Sequence, residues 1–325
     1  MGEKYGVGLW VFGNLADRFN TEGYKPQLNL AQRISLASRV KAVKGIELQY
    51  PTDFARDQVK ELKGIVEKAN LEVAAINLNF YSDVEWQNGS FSHPDASIRE
   101  KAIETTKVAM DIAEVIGTKN IGLWLGQDGT DYMFNDYSGA WDRLVGGLSE
   151  VARYDDKFTI LLEYKPKEPR THSYVSNVGK VLYIVDEIGL KNVGVVIDVG
   201  HALMVDENLA ESVVLVDKRR IPLSMHFNDN YGYWDDDMIV GSVNLWKYVE
   251  VFYQLRRIGY DGWYTLDIFP YREDPIRAVE QSIGFIEYVK RSVDENFEDI
   301  DSVVRKGDVH SSIETLRRIF LKGYG

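Results

Sequence analysis

Strand-length apolar runs alternate with helix-length amphipathic stretches along most of this chain, and that alternation restricts the fold more than any other feature. The strand-like runs fall at 5–10, 45–49, 71–78, 120–125, 158–164, 193–199, 222–227 and 263–268. Helical patterns fill the gaps at about 30–43, 54–69, 97–116, 138–154, 174–188, 209–217, 245–258 and 275–293. Asp95 is placed to cap the third of these helices and Gly117 to end it. Eight strand–helix units in strict order predict one (β/α)8 TIM barrel over residues 1–295, an α/β fold that takes roughly 250 residues. A doubly wound sheet is the competing architecture. It rarely needs eight units, and no glycine-rich phosphate turn follows the first strand. Residues 296–325 lie beyond the eighth unit. They read as a C-terminal extension with an acidic run at 298–301 and one helix at 312–321. Ile313, Leu316, Ile319 and Phe320 fall on one face of that helix, suited to packing on the barrel or to contact with a second subunit.

Charge narrows the partners. A formal net charge of −12 with no long basic stretch opposes nucleic acid and anionic membranes as partners. The absence of cysteine excludes disulfides, thiolate catalysis and zinc–thiolate sites. No apolar run approaches the ~18 residues of a membrane span, and no apolar stretch opens the chain ahead of a cleavage site. A cytoplasmic location is the expectation.

In a barrel of this kind, chemistry sits where the strands end. Strand five ends on Glu163, strand six on Asp198, strand seven on His226 and strand eight on Asp267. A lone Asp after a strand is commonly a helix cap or a turn former. Four metal-competent side chains on consecutive strands instead predict a cation site, since clustered carboxylates are costly to desolvate without one. Three carboxylates and one imidazole suit a hard divalent ion, Mn2+, Mg2+ or Co2+, better than structural zinc. His201 lies three positions beyond Asp198, and Asp235-Asp236-Asp237 follows strand seven. If that loop folds back, Asp235 and Asp237 join His201 in a second site; otherwise it is a solvated acidic loop. Lys165 shares a strand face with Glu163, where it meets either a substrate oxygen or a site carboxylate. Trp10 ends the first strand, Trp124 lies near the end of the fourth and Phe91 precedes the third helix, each either a flat wall for a sugar's C–H faces or a core aromatic.

The segment from Glu163 through Lys165 and Glu168 to Arg170 resembles the xylose isomerase motif E-P-K-P-x-E-P-R. Tyr5 to Gly13 looks like that family's first strand, Trp124 to Gly129 resembles its W-G-G-R-E-G, and Trp234 to Gly241 resembles its Y-D-x-D-L-x-x-G. The stretch from His226 to Asp237 is closer still to microbial L-rhamnose isomerases of broad specificity, and the resemblance spans residues 5–293. It implies two divalent cations, Mn2+ first among the candidates. Glu163, Asp198, His226 and Asp267 would hold one of them; Asp198, His201, Asp235 and Asp237 would hold the other. It implies an aldose–ketose isomerase working by 1,2-hydride shift on a monosaccharide, as a homodimer or homotetramer. Lys165 would bond the carbonyl oxygen as charge develops, and Asp237 would steer the proton moving between the two oxygens. Trp10, Phe91 and Trp124 would line the pocket, with Glu168 behind the site.

Gln49 stands where xylose isomerases place a ring-opening histidine, and an amide is neither acid nor base near neutral pH. A ketose 3-epimerase on the same fold is the main alternative; such enzymes use one metal and two glutamates. A cyclitol dehydratase and a sugar-binding barrel without activity are further alternatives. An apurinic-site type nuclease would need three zinc ions and many histidines, and this chain has five.

Overall fold

The computed structural model describes residues 4–321. Eight parallel strands close into a barrel: β1 (Tyr5–Gly8), β2 (Val43–Tyr50), β3 (Glu72–Leu78), β4 (Asn120–Trp124), β5 (Thr159–Glu163), β6 (Val193–Asp198), β7 (Leu223–Phe227) and β8 (Tyr264–Leu266). Each pairs with its neighbour in sequence, and β8 closes on β1. The helices α1 (Leu30–Arg39), α2 (Val59–Lys68), α3 (Ala96–Ile116), α4 (Tyr137–Tyr154) and α5 (Val178–Ile188) follow the first five strands. A short α6 (Val199–Met204) leaves β6 directly, then come α7 (Leu209–Arg219), α8 (Leu245–Ile258) and α9 (Pro275–Glu295). The predicted fold class is therefore the observed one.

Local chemistry explains the ends of these elements. Asn29 opens α1 with a capping box, its side chain accepting from Gln32 N while the Gln32 side chain accepts from Asn29 N. Asp95 caps α3 through Ser97 N, and Gly117 ends it at φ 101°, a left-handed conformation that favours glycine. Two differences from the sequence expectation matter most. The first strand stops at Gly8, and residues 9–12 form a 3-10 turn that swings Trp10 over the rim. The C-terminal extension holds two helices, α10 (Phe297–Lys306) and α11 (Val309–Phe320), where one was expected. Phe320 packs edge-on against Trp246 of α8 and Tyr288 of α9, so the extension lies along the outside of the barrel.

Strand alternation sorts the side chains. Ile46, Leu48, Ile160, Leu162, Val195 and Ile197 face the surrounding helices in the core. The opposite set includes Glu47, Asn77, Glu163, Asp198, His226 and Thr265, which meet across the barrel interior. Asn77 sits over Gly122, where an added Cβ would fall 1.8 Å from its Oδ1. No helix among the described residues is long and apolar enough to cross a membrane.

Candidate metal centre

Strand register alone brings the first ligand group together. Asp198 is the register partner of His226, and His226 of Thr265, two positions before Asp267. The ligand atoms of Glu163, Asp198, His226 and Asp267 all lie within 4.8 Å of one another. His226 Nδ1 is buried without a hydrogen-bond partner, 3.6 Å from Glu163 Oε2 and 3.4 Å from Asp267 Oδ2. An imidazole nitrogen aimed between two carboxylates, too far from either for a good hydrogen bond, fits a cation seated among them.

The second group is Asp198, His201 and Asp235. The Asp198 carboxylate caps α6, accepting from His201 N at 2.9 Å, and so turns the imidazole toward the rim. His201 Nε2 lies 3.1 Å from Asp235 Oδ2, while its buried Nδ1 has no hydrogen-bond partner and faces Glu163 Oε1 at 3.3 Å. The acidic loop does fold back. Asp229 anchors it by accepting from Asn230 N, Val243 N, Asn244 N and Asn244 Nδ2, and Asp229 bridges Met238. Gly200 permits the close approach, because a Cβ there would fall 3.0 Å from Asp235 Oδ1 and 2.6 Å from Asn228 Oδ1. Asp237, in a left-handed conformation at φ 47°, lies beside this group and not within it. The Asn228 amide joins the two, donating to Asp198 Oδ2 at 2.9 Å and to Asp237 Oδ1 at 3.2 Å.

Burial and crowding set the electrostatics. Burial, reinforced by Asp235, Asp267 and Glu163, raises the Asp198 pKa to about 7 despite the opposing His201. Asp237 is raised for the same reasons, by burial first and then by Asp235. Burial would lower His201, but Asp198 and Asp235 outweigh it and hold the imidazole at about 9. Both groups therefore keep a proton that a cation must displace. The folded Asp198 pKa sits above the ordinary aspartate range, so its contribution to the stability of the chelated protein is full near pH ~4 and is lost as pH rises through about 7. Cation affinity should run the opposite way. We expect cation loading to release protons, and to release more of them per chain below pH 7 than above pH 9, because Asp198, His201 and His226 all hold raised pKa values. Titration calorimetry in buffers of different ionisation enthalpy measures this; release independent of pH would contradict the assignment.

Lys165 Nζ lies 2.8 Å from Asp235 Oδ2 and 2.5 Å from Glu168 Oε1, over the Trp124 ring at 4.8 Å. Burial opposes its charge, but Asp235 and Glu168 keep its pKa above the usual value. Trp10 Nε1 donates to Asp267 Oδ1 at 2.6 Å. Trp10, Gln49 and Trp124 line an inner pocket of about 140 Å³ with Asn77, Tyr81, Phe269 and, from the ligand groups, Glu163, His201, Asp235 and Asp267. Outside it, past Lys165 and Asp235, opens a cleft of about 1060 Å³ that Glu168 also lines. Phe91 is placed elsewhere. It is fully buried against Phe80 and Gly147, a core aromatic away from the pocket wall.

Sequence reasoning missed Glu47. Fully buried on β2, it accepts from His226 Nε2 at 3.2 Å, Asn77 Nδ2 at 2.7 Å and Thr265 Oγ1 at 2.9 Å. Burial alone would raise its pKa; His226 and these donors hold it below the usual value. It orients the imidazole so that Nδ1 faces the ligand group. The available signal was a glutamate two positions before Gln49, on the same strand face. Glu47→Gln should weaken cation binding roughly 10- to 100-fold, read by competition with a chelator. Unchanged affinity would leave Glu47 a purely structural role.

The profile of the family described as "Xylose isomerase-like TIM barrel" matches residues 37–289. The xylose isomerase of Rhizobium etli is 31% identical over 173 residues, 51% of this chain and 40% of that protein. The matched part is thus less than half the length of that curated relative. Solved structures of similar shape include an L-ribulose 3-epimerase, with TM-score 0.72 at 15% identity over 91% of this chain and 97% of the other. Another is a D-psicose 3-epimerase from Clostridium cellulolyticum H10, with TM-score 0.69 at 17% identity over 88% and 99%. Fold, ligand groups and profile agree: the chain belongs to the xylose isomerase-like TIM barrel family.

Proposed function

We propose that this chain is a divalent-cation-dependent isomerase that interconverts an aldose and a ketose in its inner pocket. The observation that carries the reading is the pair of ligand groups sharing Asp198, with the Lys165 ammonium 2.8 Å from Asp235 beside them. Bound there, two divalent cations, Mn2+ first among the candidates, would polarise adjacent oxygens of an open-chain sugar and stabilise the charge that develops on them. Lys165 donates toward the oxygen that gains charge in the transition state, a contribution that commonly dominates such reactions. Asp237, its pKa raised, is suited to hold and return the proton that moves between the two oxygens. Trp10 and Trp124 offer flat walls to the sugar's C–H faces. Lys165 is the one ammonium or guanidinium among the residues lining the inner pocket, and two carboxylates already pair it, which suits a neutral monosaccharide. Exposed aromatics lining the outer cleft, Phe19 and Tyr231, support assembly as a homodimer or homotetramer.

Overall shape favours a second reading, a ketose 3-epimerase, since the 3-epimerases match almost their whole length. Such chemistry needs two carboxylates on opposite faces of the reacting carbon. Here β8 leads to Asp267, one methylene shorter than glutamate and held by Trp10, and the second ligand group has no task in a single-metal reaction. The test incubates metal-stripped protein with a panel of aldoses and ketoses, with and without Mn2+, and separates the products. A cation-dependent aldose–ketose pair supports the isomerase. Conversion of ketose to ketose replaces it with the epimerase, and silence across the panel removes both.

A further inference from the structure

After β3 the chain turns on Asn79, whose side-chain oxygen accepts from Tyr81 N at 3.4 Å, Ser82 N at 3.1 Å and Ser82 Oγ at 2.8 Å. From the loop after β4, Gln127 Nε2 fastens the same turn by donating to the Tyr81 carbonyl at 3.3 Å. The phenol ring lies against the Trp124 indole, centroids 4.3 Å apart, and lines the inner pocket. There Gln49 Nε2 donates to the phenol oxygen at 2.8 Å.

A phenol has one hydrogen to give and lone pairs with which to receive. Gln49 uses a lone pair and leaves the hydrogen free. Among the described residues the Tyr81 hydroxyl has no other hydrogen-bond partner. The half-buried hydroxyl faces the pocket and is free to donate to whatever binds there. We propose that Tyr81 is a sugar-contacting residue whose hydroxyl, propped by Gln49, donates a hydrogen bond to an oxygen of the substrate. This inference rests on the reading of the inner pocket as a sugar site. It also gives Gln49 a task. The amide cannot move a proton, but it orients a group that binds, and is a positioning residue. The phenol acts as a donor and not as a base, because burial holds its pKa above the usual value.

The test compares wild type, Tyr81→Phe, Gln49→Leu and the double variant, all loaded with Mn2+. Binding of unreactive polyols (xylitol, ribitol, D-sorbitol and D-mannitol) is measured by calorimetry, and KM and kcat on whichever sugar the panel identifies. Tyr81→Phe should weaken polyol binding and raise KM about five- to tenfold, with kcat within about twofold and cation content unchanged. Gln49→Leu should act in the same direction, and should cost nothing further once Tyr81 is phenylalanine. If Gln49→Leu fails to fold, Gln49→Met serves in its place. Tyr81→Phe with wild-type affinity and KM overturns this inference alone. An undiminished effect of the Gln49 variant in the phenylalanine background overturns the positioning role. A wild type that binds no polyol and converts no sugar overturns the sugar-site reading, and this inference with it.

Discussion

Asp198→Asn should lose turnover by at least about a thousandfold, while the chelated variant unfolds at a higher temperature than chelated wild type at pH 8. The two effects share one cause. Asp198 belongs to both ligand groups, so the substitution removes an anionic oxygen from each. The same carboxylate is fully buried beside Asp235, Asp267 and Glu163, which is why its pKa is raised to about 7. Above that pH the chelated protein must hold it ionised at a cost on the order of a few kcal/mol, and a neutral amide of the same shape avoids that cost. The amide oxygen can still accept from His201 N, so the cap of α6 survives, and the Asn228 amide turns its unpartnered oxygen to the new NH2. Thermal melts with and without Mn2+ and metal analysis of the purified variant check the prediction. Wild type should gain stability on adding Mn2+ and the variant should gain little. A variant that binds two cations per chain, or that is less stable than wild type when both are chelated, would contradict the shared-ligand assignment.

What the sequence disclosed depended on whether a residue's role is set by strand position or by loop path. Glu163, Asp198, His226 and Asp267 were legible because each ends a recognisable apolar run, and parallel pairing in register puts such ends on one rim. Asp235 was only half legible. Nothing local says whether an acidic loop folds inward, and the decision rests on Asp229, whose carboxylate gathers donors as distant as Asn244, and on the missing Cβ of Gly200. Glu47 escaped notice because a single charge inside a strand carries no periodicity, and its partners come from β3, β7 and β8. Phe91 shows the converse. An aromatic before a helix looks the same in sequence whether its ring enters the pocket or, as here, packs on Phe80 and Gly147 beneath α4. Tyr81 was passed over because its aim is set by Asn79 and Gln127, a turn and a loop whose paths no pattern encodes. In the extension, the acidic run at 298–301 is part of α10, which buries Ile300 and packs Phe297 near Tyr253.

Lys165→Met should lower kcat about 10²- to 10³-fold with both cations still bound, the size expected for a lost donor to developing charge. The geometry allows a competing explanation. Lys165 is already paired with Asp235 and Glu168, and an ammonium that merely neutralises them would also be missed if removed. The two roles predict opposite responses to cation concentration. Asp235 belongs to the second group, so the ammonium and a second cation share the same carboxylate. Removing the lysine leaves Asp235 to His201 and the ion, and cation affinity there should hold or rise. If Lys165 served only as a counter-charge, raising Mn2+ would restore turnover, because the ion neutralises Asp235 at least as well. If it donates to the substrate, turnover stays low at saturating Mn2+, and polyol binding changes much less than kcat, since the interaction strengthens only as charge develops. Steady-state kinetics at several Mn2+ concentrations, with metal content measured on the same samples, separate the cases. Recovery to within about threefold of wild type would remove Lys165 from the chemistry and leave it holding the Asp235 loop in place.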